Sequence, residues 1–487
     1  MKDLLKKNGT RSVLATIISI LIGLVAGSIL VLIVGITSSD IGIKGAWEGI
    51  RLIVAGILNT GRDGAGNLSF GFNPQVLGNM LFNAVPLILC GLSVALAYKT
   101  GLFNIGASGQ FLAGTCATLF VALSIPHGVL PQWLIWILAF LAGILAGALW
   151  GAIPGLLKAY LNINEVLACI MTNWIAANLV TWVFDVSNLK NMVEGTKTGY
   201  IYKTTYGLVN AGGDWVYRDG AGVWTPKLGL DKVFPGSQVN AGILIAIIIA
   251  VVVYIVLTKT TFGYELKACG SNRHAARYAG IKDKRSIVLS MALAGALAGS
   301  AASLYYLSGN TELYWSVYQK LPAEGFNGIA VAMLASCNPI ACIFTGLFMA
   351  AVKQHGVQLS NLTAYNEYIT DVIIAVIVYL SAFSLLIKTW ISGARKKAPK
   401  AGTLLTYGIL GLSFGLTFFL SFVGIILSAV GLSKAKTFVK DGNEMTKKAR
   451  IGKILSIVGL VVSIVETVLF IVWAILALVV FNKLGGA

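Results

Sequence analysis

The chain has 487 residues, 57% hydrophobic and only 11% charged, with mean hydropathy +0.81, whereas a soluble fold carries roughly a quarter charged residues. The composition therefore excludes a water-soluble domain and specifies a polytopic membrane protein, and no strand-length alternation suggests an outer-membrane barrel. The net charge of +18 sits in four stretches, 1–11, 258–285, 388–400 and 433–453, while the long polar segments 36–75 and 185–240 are near neutral; this is the positive-inside pattern rather than a nucleic-acid surface.

The first apolar run, Ser12–Gly35, is long enough to span a bilayer and no small-residue cleavage site follows it. It is expected as an uncleaved first span in the cytoplasmic membrane of a bacterium, with the N-terminus in the cytoplasm. On the outer side, Gly45–Leu58 predicts an interfacial helix and Gly61–Asn67 a turn. Val76–Ala97 returns inward. Between it and Phe111–Ile125 lies Gly101-Leu102-Phe103-Asn104-Ile105-Gly106-Ala107-Ser108-Gly109-Gln110, with glycines and amides at membrane depth. Irregular backbone survives in hydrocarbon only where protein or a watery cavity satisfies its polar groups. The segment therefore predicts a broken or re-entrant helix on a transport path.

Trp133–Leu157 and Val166–Phe184 are further spans, and 185–240, rich in Gly, Asn, Tyr and Trp, predicts a small ordered outer cap. Ala241–Leu257 and Ile287–Leu307 flank the basic loop 258–285. Leu321–Gly328 predicts a second polar break. Ile329–Val352, interrupted at Asn338-Pro339, is expected as two half-spans before a last span, Ile369–Ile387. Composition shifts at 388–403, which divides the chain into a core, 1–390, a basic linker, 391–403, and an accessory C-terminal membrane module, 404–487. In that module Leu404–Leu432 is expected as a hairpin of two short helices, and Ile454–Phe481 is a span carrying Glu466. The six cysteines avoid the long outer segments and read as small buried apolar residues, not a disulfide framework. The predicted fold is an all-α membrane bundle with broken helices.

Three motifs, in order, resemble one family. Tyr98-Lys99-Thr100-Gly101 through Gln110 is similar to the signature of ABC-importer permeases of the ribose/branched-chain amino acid type, nucleoside and simple-sugar branch. Gly263-Tyr264-Glu265-Leu266-Lys267-Ala268-Cys269-Gly270-Ser271-Asn272, continuing through Ala275-Ala276-Arg277-Tyr278-Ala279-Gly280-Ile281, resembles that family's coupling loop. Gly325-Phe326-Asn327-Gly328-Ile329-Ala330-Val331-Ala332 is the third, and Asn164-Glu165-Val166 with Met171-Thr172-Asn173-Trp174-Ile175-Ala176 adds a shorter match. The likeness covers roughly 76–388; the long outer segment 185–240 and the C-terminal module depart from it. The resemblance implies a type II-like ABC importer permease fold, with 1–390 as the permease core.

Asn104, Ser108 and Gln110 are candidates for the substrate path, since amides and hydroxyls offer donors and acceptors without the cost of a membrane charge. They equally suit satisfaction of broken-helix backbone. Asn173, Trp174 and Asn327 join them, the indole as a stacking surface or as plain bundle packing. The coupling candidates are Gly263, Ala268, Gly270, Asn272, Ala275, Ala276 and Gly280, small residues and turn formers on a loop that the resemblance docks to a cytoplasmic ATPase; Ala276 is expected on the docking face. Glu165 reads as a helix-start carboxylate, and Asp371, near a span's outer end, faces substrate or water.

No G-x-x-x-x-G-K-[ST] occurs in the chain, so ATP is expected on a partner subunit, with no cofactor, metal or bond chemistry here. The resemblance implies the permease subunit of an ATP-driven importer, with a cytoplasmic ABC ATPase, an external lipoprotein substrate-binding protein, and a second permease copy or paralogue. The expected substrate is a nucleoside; the alternatives are a simple sugar such as a pentose, or an ion-coupled secondary transporter, which would want a mid-span acid or base in the core.

Overall fold

The computed structural model describes residues 8–38, 40–125, 128–191, 195–199, 201, 205–209, 215–219, 222–315, 321–366, 368–381, 401–416, 421–440 and 445–484. Among them, eight helices are long and apolar enough to cross a membrane. The protein is a multi-pass helical membrane protein. It divides into two compact units, one of Asn8–Leu32 with Ile43–Leu385, the other including Ile33–Gly42 and Leu386–Ala487.

In the larger unit α1 (Asn8–Thr37) is followed by α2 (Gly42–Ala55) and a hairpin of β1 (Asn59–Arg62) and β2 (Leu68–Phe70). Gly49 brings α2 against Val31 and Tyr365, and Tyr365 Oη donates to the Val31 carbonyl at 2.7 Å. Arg62 in β1 pairs with Glu48 on α2 at 2.7 Å and donates to the Leu362 carbonyl at 2.7 Å. A helix and a turn are present where they are expected, tied down by one guanidinium.

Four helices follow: α3 (Pro74–Lys99), α4 (Ala107–Ser124), α5 (Gln132–Leu161) and α6 (Glu165–Val186). Asn73 caps α3 by accepting from Val76 N, with Pro74 beginning the helix where its missing N–H costs nothing. Asn164 caps α6, and Glu165 in its first turn pairs with Lys158 at 2.9 Å. Within 185–240 the described residues include a hairpin, β3 (Thr205–Val209) with β4 (Trp215–Asp219), and a short α7 (Leu230–Val233). Then come α8 (Gly242–Lys259), α9 (Thr261–Ser271), α10 (Arg273–Tyr278) and α11 (Asp283–Tyr306).

The interruption expected at Asn338-Pro339 is present, whereas the polar break expected at Leu321–Gly328 is mostly helical. Gly325–Gly328 is not irregular but part of α12 (Ala323–Leu334), which starts after Pro322 in extended conformation with Glu324 favourable in its first turn. The interruption falls at Ser336 and Cys337, at φ 50° and 54°, and Asn338 caps α13 (Pro339–Leu362) by accepting from Ile340 N at 3.0 Å. Twelve residues give α12 a length of about 18 Å, while the 24 of α13 reach about 36 Å. One half-span is thus followed by a full one, in place of two halves. The unit's described part ends with α14 (Tyr368–Ser381).

The smaller unit holds α15 (Ala401–Gly415), α16 (Ser421–Lys440) and α17 (Lys447–Leu484). The expected hairpin is there, with α16 running on into the basic stretch. Residues 391–400 of the predicted linker lie outside the described residues. Gly411 meets Ser428 and Gly415 meets Ser463, so small residues set the close spacing of these helices. Glu466 is half-buried on α17. All six cysteines are free, and burial pushes the Cys269 thiol up, which keeps it protonated and unreactive.

In the core, α5 and α11 approach to backbone contact. Gly143, Gly147, Gly151 and Gly155 recur every fourth residue of α5 and share one face. A methyl on Gly147 or Gly151 would collide with the backbone of Gly295, Gly299 or Met291 on α11. Beside them Thr118 and Ser303 share a buried 2.7 Å hydroxyl contact that joins α4 to α11. Backbone against backbone leaves no side chain to yield, so Gly147→Val is expected to exceed the usual overpacking cost of about 1–3 kcal/mol. The variant should be lost as aggregate on size-exclusion chromatography of detergent extracts, whereas Leu145→Val, at an exposed position of α5, should elute as wild type.

Candidate functional site

The join between α3 and α4 turns back on itself. Thr100 Oγ1 shares a 2.7 Å hydrogen bond with Ser290 Oγ of α11. Gly101 follows at φ +76°, and its backbone lies against Gly270 at the end of α9. Asn104 Nδ2 then donates to Ser93 Oγ at 3.0 Å, and Ser93 Oγ donates to the Ala294 carbonyl on α11 at 2.6 Å. The chain has thus returned nearly two turns along α3 before α4 begins. It is re-entrant, as the glycines and amides imply.

The broken backbone is held by three amides. Asn104 and Gln110 form a reciprocal pair, Nδ2 to Oε1 at 2.8 Å and Nε2 to Oδ1 at 3.0 Å. Asn173 on α6 accepts from Gly109 N at 2.9 Å and donates to the Ile105 carbonyl at 3.1 Å. One side chain therefore satisfies both a free N–H in the first turn of α4 and a carbonyl of the preceding loop. Asn104, Gln110 and Asn173 are all buried, turned toward one another within the chain.

Ser108 Oγ donates to the Pro322 carbonyl at 3.0 Å, and a methyl on Gly325 would collide with Ser108. The N-terminal ends of α4 and α12 therefore meet. Gly328 seats α12 on Cys90 and Gly91 seats α3 on Val331. Asn327 is half-buried on α12. Trp174 is 49% exposed in an apolar groove with Met171, Ile175 and Trp182 on the outward face of α6. It stands apart from the amide cluster.

Between α4, α6, the end of α11 and the start of α12 lies a cavity of about 360 Å³. Its lining residues include Tyr305, Tyr306, Tyr314 and Trp315 together with Glu312 and Glu324. Tyr305 stacks on Phe82 of α3 at 5.5 Å, and Trp315 on Phe184 of α6 at 5.3 Å. Glu312 pairs with Lys197 at 3.1 Å and Glu324 with Lys353 at 3.5 Å. Sequence reasoning passed over these groups. Glu324 is visible as the acid in Pro322-Ala323-Glu324, a helix-start pattern, but its place in a cavity follows only from the re-entry of the chain toward Ser108. Asp371, by contrast, is exposed on α14.

At the basic end, Thr260 caps α9 through Gly263 N at 3.1 Å and Asn272 caps α10 through Ala275 N at 3.1 Å. Gly263 lies against the last turn of α8, and Gly270 against Lys99–Gly101. Arg273 Nε donates to Asp283 Oδ2 at 2.7 Å, tying α10 to α11. Ala268 is half-buried, while Asn272, Ala275 and Gly280 are exposed, Gly280 turning the chain at φ +81°. Ala276 is not on the outer face: it is 4% exposed, because capping by Asn272 sets the phase of this six-residue helix and turns Ala276 inward. The outward position belongs to Tyr278, 95% exposed, a residue not singled out from the sequence.

A family model described as the permease component of branched-chain amino acid transport systems matches residues 76–382. The chain belongs to this permease family. It is similar to the nucleoside ABC transporter permease protein NupB of Lactococcus lactis, 34% identical over 81% of this chain and 96% of NupB. Likeness to the guanosine ABC transporter permease protein NupP of Bacillus subtilis is 30% over 79% of this chain and 97% of NupP. The glucose ABC transporter permease protein TsgB13 of Haloferax volcanii is 29% identical over 62% of this chain and 74% of its own length. No solved structure matches the chain. The permease-family match spans the re-entrant break, α9, α10 and the cavity, and ends before α15.

The amide pair makes a sharp energetic statement about this permease. Asn104→Leu or Gln110→Leu alone leaves a buried amide without its partner, at about 1–3 kcal/mol each. The double variant removes both, so its loss of stability should be clearly less than the sum. Thermal unfolding of the detergent-solubilised variants checks this, and additive losses would show that the two amides are not coupled.

Proposed function

We propose that this chain is the membrane-embedded permease subunit of an ATP-driven importer for nucleosides, and itself performs no bond chemistry. The observation that carries the reading is the arrangement at the basic end. There α9 and α10 present a 95% exposed tyrosine while Gly270 rests directly on the turn of the broken helix. A partner bound at Tyr278 is thereby in mechanical contact with the re-entrant segment. By the positive-inside rule this end, and the N-terminus, lie in the cytoplasm. The partner is a separate ABC ATPase, since the chain has no phosphate-cradling loop. Substrate is delivered to the opposite side by an external binding protein, and a second permease copy or paralogue completes the path. NupB and NupP, named for nucleosides and guanosine, match more of this chain than the glucose permease does, which favours nucleosides over sugars.

In proteoliposomes carrying the permease, its ATPase and the binding protein, nucleoside uptake should need ATP and both partners. Uptake by this chain alone under an ion gradient would overturn the reading in favour of secondary transport.

Exposed aromatics at an interface centre are common anchors, worth about 2 kcal/mol or more. Tyr278→Ala should therefore lose co-purification of the ATPase and most substrate-stimulated ATP hydrolysis while the permease stays folded. Ala276→Trp should instead lower the permease's own unfolding temperature, since that site is filled by its own chain.

We also propose that the C-terminal unit is accessory, because the family match stops at residue 382. A chain ending at Lys400 is expected to insert and to keep ATP-dependent uptake, measured in the same assay; loss of assembly would assign α15–α17 a structural part.

A further inference from the structure

We infer that the cavity lined by Tyr305, Tyr306, Tyr314, Trp315, Glu312 and Glu324 is a substrate station within the permease, selective for uncharged nucleosides over nucleotides and over free pentoses. This rests on the proposed function and adds a site and a selection rule to it. The cavity's volume of about 360 Å³ lies in the range of small-molecule sites. Four aromatic residues contribute to its wall, Tyr306 and Trp315 buried and Tyr305 and Tyr314 more open, the latter two offering ring surface for a base. Two of them are held from behind, Tyr305 by Phe82 and Trp315 by Phe184, so their orientation is set before substrate arrives. Tyr314, 60% exposed, carries the Lys197 ammonium 5.7 Å from its ring centroid, so one face is held by a cation and the other is left for a base.

The polar groups fit the other half of a nucleoside. Glu312 and Glu324 each face a lysine, yet Lys197 and Lys353 are not among the residues lining the cavity. Each carboxylate meets its lysine through one oxygen, Glu312 Oε2 and Glu324 Oε1, which leaves the second oxygen of each as an acceptor in a residue that lines the cavity. Carboxylate oxygens only accept. They suit solutes rich in donors, such as the vicinal hydroxyls of a ribose or the N–H groups of a purine edge, and they oppose a phosphate. A free pentose meets the carboxylates but leaves the aromatic wall without a partner. Pro322, whose carbonyl receives the Ser108 hydroxyl, lines the same cavity. A solute seated there touches both re-entrant elements.

The test uses the full-length permease in lipid nanodiscs with its ATPase, titrated with radiolabelled guanosine and, as competitors, guanosine 5′-monophosphate and ribose. Guanosine should bind, and neither competitor at tenfold excess should displace it. Glu324→Gln and Tyr314→Leu should each weaken binding at least tenfold and lower uptake, while still eluting as folded protein on size-exclusion chromatography and with unchanged affinity of the external binding protein. Glu312→Gln, at the cavity's second carboxylate, provides an independent variant should Glu324→Gln fail to fold. Equal guanosine binding and uptake in the folded variants, or displacement by the monophosphate, would overturn the station while leaving the nucleoside importer intact. Absence of nucleoside uptake by the wild-type complex would instead overturn the importer reading.

Discussion

Everything in the core depends on one constraint: backbone that leaves a helix within a bilayer must find its hydrogen bonds inside the protein. Residues 100–106 break away from α3, and the bonds they give up are met by Asn173, which takes one donor and one acceptor with a single side chain. Asn104 and Gln110 close on each other and pass the network through Ser93 to the Ala294 carbonyl on α11. Removing any member exposes the next to an apolar interior. In such networks partial satisfaction is worse than none.

Amides alone cannot hold this geometry unless the helices come close enough to reach one another. Glycine provides that closeness. The α5 ladder lets α11 approach to backbone contact, which puts Ala294 and Ser303 within reach of Ser93 and Thr118. Gly91 and Gly328 do the same between α3 and α12, and Gly325 brings α12 to Ser108. With little hydrophobic force between helices in lipid, packing and interhelical hydrogen bonds carry association. Here both act at the same junction.

Much of this is legible in the sequence, and the parts that are not have identifiable causes. Hydropathy and charge place the spans, and the glycines and amides of 101–110 announce a break. The same residues do not say whether an amide faces a path or the backbone, since donors and acceptors serve either purpose. Asn173 and Asn104 prove to bind within the chain. Gly325–Gly328 looks like a loop by composition but is helical, because small residues there answer to close packing rather than to a turn. The face of α10 is hidden for another reason. A six-residue helix shows no periodicity, so only the Asn272 cap reveals that Ala276 points in and Tyr278 out. The glycine spacing of α5 is plain in the chain, whereas its partner surface on α11 requires the fold.

The same contacts limit how the permease can move. Gly325 admits no side chain between α12 and Ser108, and Gly328 pins the following turn to Cys90. The starts of α4 and α12 therefore cannot slide apart without breaking the Ser108–Pro322 hydrogen bond and the packing beneath it. A local gate at Asn104 would require opening the whole buried amide network. On the proposed function, passage of substrate is more economically produced by moving α3, α4, α11 and α12 together as one body. Motion of α9 reaches that body at Gly270, where it meets Lys99–Gly101 with no side chain to absorb displacement. On that reading Gly270 is the point at which a shift at the basic end meets the re-entrant segment.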